Sequence, residues 1–198
     1  MLDTLARLSD SQARSSSLLP GWTIGHVVTH LARNADSHVR LLSAAERGEV
    51  TDQYEGGAAG RAAAIEAGAG RAAAALVADL RDSIAALEDK WHTASEVAWQ
   101  GRGRGVTGEY SMTTLPFRRW GEVEIHHRDL GLGYTSNDWP DDFVRIELAR
   151  LKAEWASRQP MGMTELPASV LALGPAERVA WLTGRLDVEG TPPAGIFA

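Results

Sequence analysis

The sequence contains no cysteine. That excludes a disulfide scaffold, a thiolate-ligated zinc site, an iron–sulfur cluster and a cysteine nucleophile. Any metal must be held by histidines and carboxylates, and any thiol chemistry must use a thiol from outside the chain. An excess of positive charge is also missing. Lys and Arg number 20 against 26 Asp and Glu, a formal charge of −6, which speaks against general binding to nucleic acid or to an anionic membrane. No apolar run reaches the ~18 residues of a membrane span. Met1-Leu2-Asp3-Thr4-Leu5-Ala6-Arg7 carries neither a basic n-region nor a long apolar h-region, so no signal peptide is read and the cytoplasm is the expected compartment. No GxxxxGK[ST] phosphate loop and no useful internal repeat occur.

What is present is enough chain, 198 residues, for one ordinary domain or a medium domain with an appendage. Such a length buries roughly 70% of its unfolded surface without staples. Residues 2–18 read as a short helix. Pro20-Gly21-Trp22-Thr23 then leads into a long one, with Thr23 as N-cap. Ile24, Val27, Val28, Leu31, Ala35 and Leu42 recur at helical spacing to about Arg47. Residues 48–60 read as a loop. The Ala-rich stretch from Arg61 to Val97 is helical in propensity, with Leu76, Leu80, Ile84 and Leu87 as its core stripe and Gly68 and Gly70 as a break. Residues 100–110 read as a Gly/Arg-rich loop. A helix from about Thr114 to Leu130 ends at Gly131, a C-cap signal. Beyond the boundary at Thr135–Pro140, residues 140–157 form an amphipathic helix. Ala168–Leu173 and Arg185–Glu189 are read as strands around a short helix, Pro175–Thr183. The expected architecture is an all-α bundle followed by a small mixed α/β appendage.

Six histidines are present: His26, His30, His38, His92, His126 and His127. His26 and His30 lie four apart on one helical face, as do Glu122 and His126 on another helix. A carboxylate and an imidazole one turn apart can share a metal ion. A histidine from a facing helix would complete three ligands, leaving a fourth position for water or substrate. Spacing alone is weak support. With 26 acidic residues in 198, about 0.8 such acid–histidine pairs arise by chance among six histidines. An ordinary helix-supporting pair is the plain alternative. Spacing also cannot choose between His26 and His30. His127 sits about 100° from His126 on the wheel, toward a neighbour or solvent.

The surrounding residues add to this. Leu19-Pro20-Gly21-Trp22-Thr23-Ile24-Gly25-His26-Val27-Val28-Thr29-His30-Leu31-Ala32-Arg33-Asn34-Ala35 resembles the N-terminal helix motif of the mycothiol-dependent maleylpyruvate isomerase family, within the DinB-like metalloprotein superfamily. Arg119-Trp120-Gly121-Glu122-Val123-Glu124-Ile125-His126-His127-Arg128-Asp129-Leu130-Gly131 is similar to its second motif. Tyr54 through Ala67, with Arg61 and Ile65, is a third match and Leu182-Thr183-Gly184-Arg185 a fourth. The stretch before the first motif and the segment after residue 138 read as short for the family.

The resemblance implies a mainly α fold, a DinB-like four-helix bundle over residues 1–136 that binds metal, with a small C-terminal α/β domain at 137–198. It implies zinc on His30, Glu122 and His126, with His26 in the motif but not a ligand. It implies that Arg61 and Arg185 bind substrate carboxylates. It implies mycothiol as the thiol, deprotonated on zinc, and a cis–trans isomerisation of maleylpyruvate to fumarylpyruvate by thiolate addition and elimination, as in gentisate-type aromatic degradation. The partners would be a small dicarboxylate and a low-molecular-weight thiol. A zinc-dependent mycothiol S-transferase and a non-catalytic helical binding module are the alternatives. Plainer roles exist for single residues. Arg61 could be a surface arginine at a helix start, and Arg185 could pair with Asp187 or Glu189. Asp129 reads as an acid of a last turn, with orientation of an imidazole as the other possibility. Trp22, Trp120, Trp139, Trp155 and Trp181 read as packing anchors, and Arg102 and Arg104 as solvated loop residues.

Overall fold

A computed structural model describes residues 1–105 and 108–195. Backbone contacts divide the chain into two compact units, Met1–Leu132 and Gly133–Ala198.

The first unit is helical. It opens with two short helices, α1 (Leu2–Leu5) and α2 (Asp10–Arg14), where sequence reading expects one. Four longer helices make the bundle: α3 (Ile24–Ala45), α4 (Gly57–Ala69), α5 (Ala73–Thr93) and α7 (Leu115–Asp129); α6 (Glu96–Gln100) is a single short turn between them. The central element is α3, which packs against α4, α5 and α7. Its sequence shows why. Ile24, Val27, Val28, Leu31, Ala32, Ala35, Leu41 and Leu42 are all buried, so the helix is apolar over more than one stripe, as a surrounded helix must be. Its start is a capping box. The Thr23 hydroxyl accepts from the His26 backbone N–H, and the His26 ring accepts from the Thr23 N–H. Gly25 lies so close to the end of α4 that a Cβ would meet the Ala69 carbonyl oxygen at 2.2 Å, so the two helices cross where there is no side chain.

The expected break at Gly68 and Gly70 separates α4 from α5. The start of α5 has no cap of its own. Its Ala73 N–H donates to the Asp10 carboxylate from α2 at 2.7 Å, a tertiary cap at a positive helix end. Residues 100–110, read as a loop, contribute to an antiparallel strand pair instead, β1 (Arg102–Gly105) with β2 (Gly108–Ser111). Gly103 and Gly105 leave no apolar alternation to signal a strand. Further support comes from a distant segment, because Thr51 and Gln53 exchange backbone hydrogen bonds with Arg104 on the other edge of β1. A 3₁₀ turn, Met112–Thr114, leads into α7. That helix ends where expected, with Gly131 at φ +68°.

The second unit holds α8 (Asp141–Arg158), α9 (Ala168–Leu171) and α10 (Pro175–Leu182) after a 3₁₀ turn at Ser136–Asp138. Both strand expectations here are corrected. Ala168–Leu171 is a helical turn started by Pro167, and 185–189 is irregular. Short apolar runs do not distinguish strand from helix, and no neighbouring strand is present among the described residues to pair with them. Phe143, Leu151, Val170, Val179, Trp181 and Leu182 are buried in this unit. No described helix is long and apolar enough to cross a membrane.

Candidate metal centre

The first unit brings one residue of α3 and two of α7 together. His30 is buried, while Glu122 and His126 are partly exposed. The His30 Nε2 lies 2.9 Å from Glu122 Oε2 and 3.1 Å from His126 Nε2, and His126 Nε2 lies 3.4 Å from Glu122 Oε2. Two imidazoles and one carboxylate thus close a small triangle. Ligand bonds of about 2.0–2.2 Å in tetrahedral geometry put neighbouring donors about 3.3–3.6 Å apart, so these edges, two of them slightly shorter, suit a single cation with a fourth direction left open. Among the described residues this is the one group of three or more such donors that close together. The two rings stand nearly perpendicular, 86°, with centroids 4.6 Å apart.

The surroundings set the protonation of each donor. Burial would raise the Glu122 carboxyl, but hydrogen bonds from His126 and His30 hold it well below the usual carboxylate range. Burial pushes His30 down to about 4, so its ring is neutral. Burial also pulls His126 down, yet its hydrogen bonds to Asp129 and Glu122 outweigh that and raise it. The His126 Nδ1–H donates to Asp129 Oδ2 at 3.0 Å, and Asp129 is fully buried. That bond fixes the tautomer and leaves Nε2 facing the triangle, the arrangement that a metal-binding histidine needs. Asp129 is therefore more than an acid of the last turn: it orients an imidazole.

Arg61 lies beside the same site. Its Nη2 donates to His30 Nδ1 at 3.2 Å, and its guanidinium sits 5.9 Å from the Trp22 ring and 5.7 Å from the Tyr54 ring. The groups it touches here are thus neutral. A guanidinium only donates, so His30 keeps its proton on Nε2, toward Glu122. A cation on that nitrogen requires the proton to move to Nδ1 and Arg61 to turn away from it. Trp22 meets the His30 ring edge-on at 5.7 Å, so it lines the site as well as packing against the core. Burial raises the Tyr54 phenol, with the Glu122 charge adding to the effect, which keeps it neutral beside Asn34 and Arg61.

The remaining histidines fall elsewhere. The His26 ring is engaged by Thr23 and by Glu66 at 3.1 Å, which separates it from His30 in a way that spacing could not. His127 meets the Thr4 hydroxyl at 2.8 Å, and His92 bonds the Glu88 carbonyl on the surface. Arg104 pairs with Asp52 and Glu109 at the strand pair, and Arg102 with Glu109. Arg185 belongs to the second unit, where it follows Gly184 and its guanidinium donates to the Thr183 carbonyl. Sequence reasoning gave no role to Tyr54, Asn34 or Arg119. A signal for Arg119 exists, because it stands three residues before Glu122 and so on the same helical face.

The chain is similar to known proteins in two respects. Residues 1–131 match the family model described as the mycothiol maleylpyruvate isomerase N-terminal domain. A crystal structure of a mycothiol-dependent maleylpyruvate isomerase superposes with TM-score 0.80 at 27% identity, covering 93% of this chain and 83% of that one. The structure of a histidine-to-alanine variant of such an enzyme gives TM-score 0.79 at 27% identity with the same coverage. No curated protein sequence matches.

Proposed function

The chain belongs to the mycothiol maleylpyruvate isomerase family, and from that premise we propose that it is a zinc- and mycothiol-dependent isomerase that turns maleylpyruvate into fumarylpyruvate. The observation that carries this reading is the donor triangle of His30, Glu122 and His126 in a chain without cysteine. A catalytic metal held by two histidines and a carboxylate keeps a position open, and the missing sulfur has to be borrowed. When bound, zinc and mycothiol supply a thiolate that can add to the cis double bond and leave again after rotation.

The chain's own residues do the rest. Asp129 holds the His126 ring in its donor tautomer. Arg61 stands next to the triangle, between two aromatic rings. Bonded to an imidazole rather than a carboxylate, it can offer paired hydrogen bonds to a carboxylate of the substrate. Trp22 and the buried His30 keep the inner side of the site dry, which strengthens those bonds. Arg185 is proposed as the partner of the second carboxylate, on the resemblance of Leu182-Thr183-Gly184-Arg185 to the family motif. Anchoring both ends lets the central bond turn while the rest is held. A cytoplasmic place and a part in aromatic degradation go with this reading.

The test is metal analysis of protein purified without added metal, joined to an isomerase assay with and without mycothiol. The expected result is one zinc per chain and conversion of maleylpyruvate that needs mycothiol but does not consume it. Stoichiometric loss of thiol onto an electrophile, without isomerisation, would make the protein an S-transferase. Absence of both metal and turnover would leave a binding module and end the proposal.

A further inference from the structure

The three donors do not share one element. Glu122 and His126 ride on α7 and move together, whereas His30 belongs to α3. A slip of one helix along the other would stretch both edges that involve His30 and leave the Glu122–His126 edge untouched. The triangle therefore depends on whatever holds α3 and α7 in register.

Arg119 is placed to do that. It precedes Glu122 by one turn and His126 by two, on the same face of α7. It is 5% exposed. Its Nη1 donates to the Leu31 carbonyl oxygen and to the Asn34 Oδ1, each at 2.8 Å. Leu31 is the residue after His30, and Asn34 stands one turn further along α3. The strut thus meets both helices within a turn of the metal-binding residues. Its hydrogen-bond acceptors are neutral, and its Nη2 has no partner. Burying a guanidinium without a bonded carboxylate is costly, and packing alone would be served as well by Leu or Met. The carboxylates of Glu122 and, less strongly, Asp36 act on it through space without bonding to it.

We propose that Arg119 is a positioning residue, a strut that locks the register of α3 against α7 and so holds His30 at metal-binding distance from Glu122 and His126. This rests on the reading of the triangle as a metal centre. Arg suits the task because its rigid fork reaches a carbonyl and an amide together, which a single ammonium does less well.

The experiment uses Co²⁺ as a spectroscopic probe in the purified full chain, with affinity measured by competition against a chromophoric chelator. Arg119→Met is expected to weaken Co²⁺ binding by about 10- to 100-fold and to shift the visible d–d bands. Arg119→Lys should restore part of the wild-type spectrum, and Asn34→Ala should move it in the same direction as Arg119→Met but less. If Arg119→Met lowers thermal stability while keeping the wild-type spectrum and affinity, Arg119 is ordinary packing and the proposal is overturned. Should Arg119→Met not fold, wild-type spectra in both Arg119→Lys and Asn34→Ala would overturn it equally. Wild-type protein that takes up no Co²⁺ would instead remove the metal centre itself, a separate outcome that this comparison of variants identifies.

Discussion

The two units treat buried polarity differently. In Met1–Leu132 the interior holds His30, Asn34, His38, Arg119, His127 and Asp129. Several of these converge on one small region between α3 and α7. In Gly133–Ala198 the buried polar side chains among the described residues are Glu147 and Thr183, and both are satisfied locally. Glu147 is chelated by Arg150 one turn away, at 2.6 and 2.9 Å, and the Thr183 hydroxyl bonds back to the Val179 and Ala180 carbonyls. Polar groups that serve only the fold can be satisfied within one helix. Those of the first unit reach across helices: Arg119 of α7 bonds Leu31 and Asn34 of α3, and His30 of α3 meets Glu122 of α7. The contrast separates a unit organised around a site from one organised around its own core.

The contrast can be broken most sharply at His30. His30→Ala should remove stoichiometric metal and all measurable turnover while the helical content stays intact; a variant that keeps both zinc and activity would take His30 out of the triangle. Next comes Arg61→Ala, expected to lower kcat/KM by roughly 10- to 100-fold, the scale of a lost charge-assisted bond. Because His30 Nδ1 is then released, metal should bind at least as tightly as in wild type; weaker metal binding would mean that Arg61 supports the triangle rather than the substrate.

A third effect is on stability. Burial, with Arg119 and to a lesser degree Arg118 opposing a second positive charge and Glu122 favouring it, pushes His38 down to about 3. In the unfolded chain it titrates near ~6.5. Between those values the unfolded state binds the extra proton, so the folded state is favoured fully above ~6.5 and loses stability as the pH falls, by ~2 kcal/mol at pH 5. His38→Gln should flatten that acid limb in denaturant titrations, and an unchanged limb would assign the loss to another group. The smallest effect belongs to the second unit. Glu147→Gln should cost ~1 kcal/mol of stability and leave metal content unaltered; a change in metal content would erase the distinction between the units.

Much of the bundle was legible beforehand because its signals are local. The apolar spacing of α3, the Thr23 cap, the Gly68–Gly70 break and the Gly131 stop each depend on residues within a turn or two. The strand pair 102–105 and 108–111 is not legible, since its glycines give no apolar alternation and part of its support comes from distant Thr51 and Gln53. The strands expected at 168–173 and 185–189 failed for the converse reason: apolar stretches without a sheet to join settle as a helical turn or as irregular chain.

The candidate site divides in the same way. His30, Glu122, His126 and Arg61 were named from motifs, yet spacing left His26 and His30 equal until the fold turned one to Thr23 and Glu66 and the other to α7. In the sequence Asp129 reads as a helix-end acid, and only its burial against His126 shows what it does.

The amino-acid order alone determined that this chain makes long helices, that it has no thiol, and that its candidate metal ligands come as histidine and glutamate at helical spacing. The tertiary structure alone decided which histidine faces Glu122, which carboxylate orients His126 and which arginine spans the two helices. The reason is physical: a helix places side chains three and four residues apart on one face by local geometry, whereas the few ångströms between two helices are set by every contact that packs them.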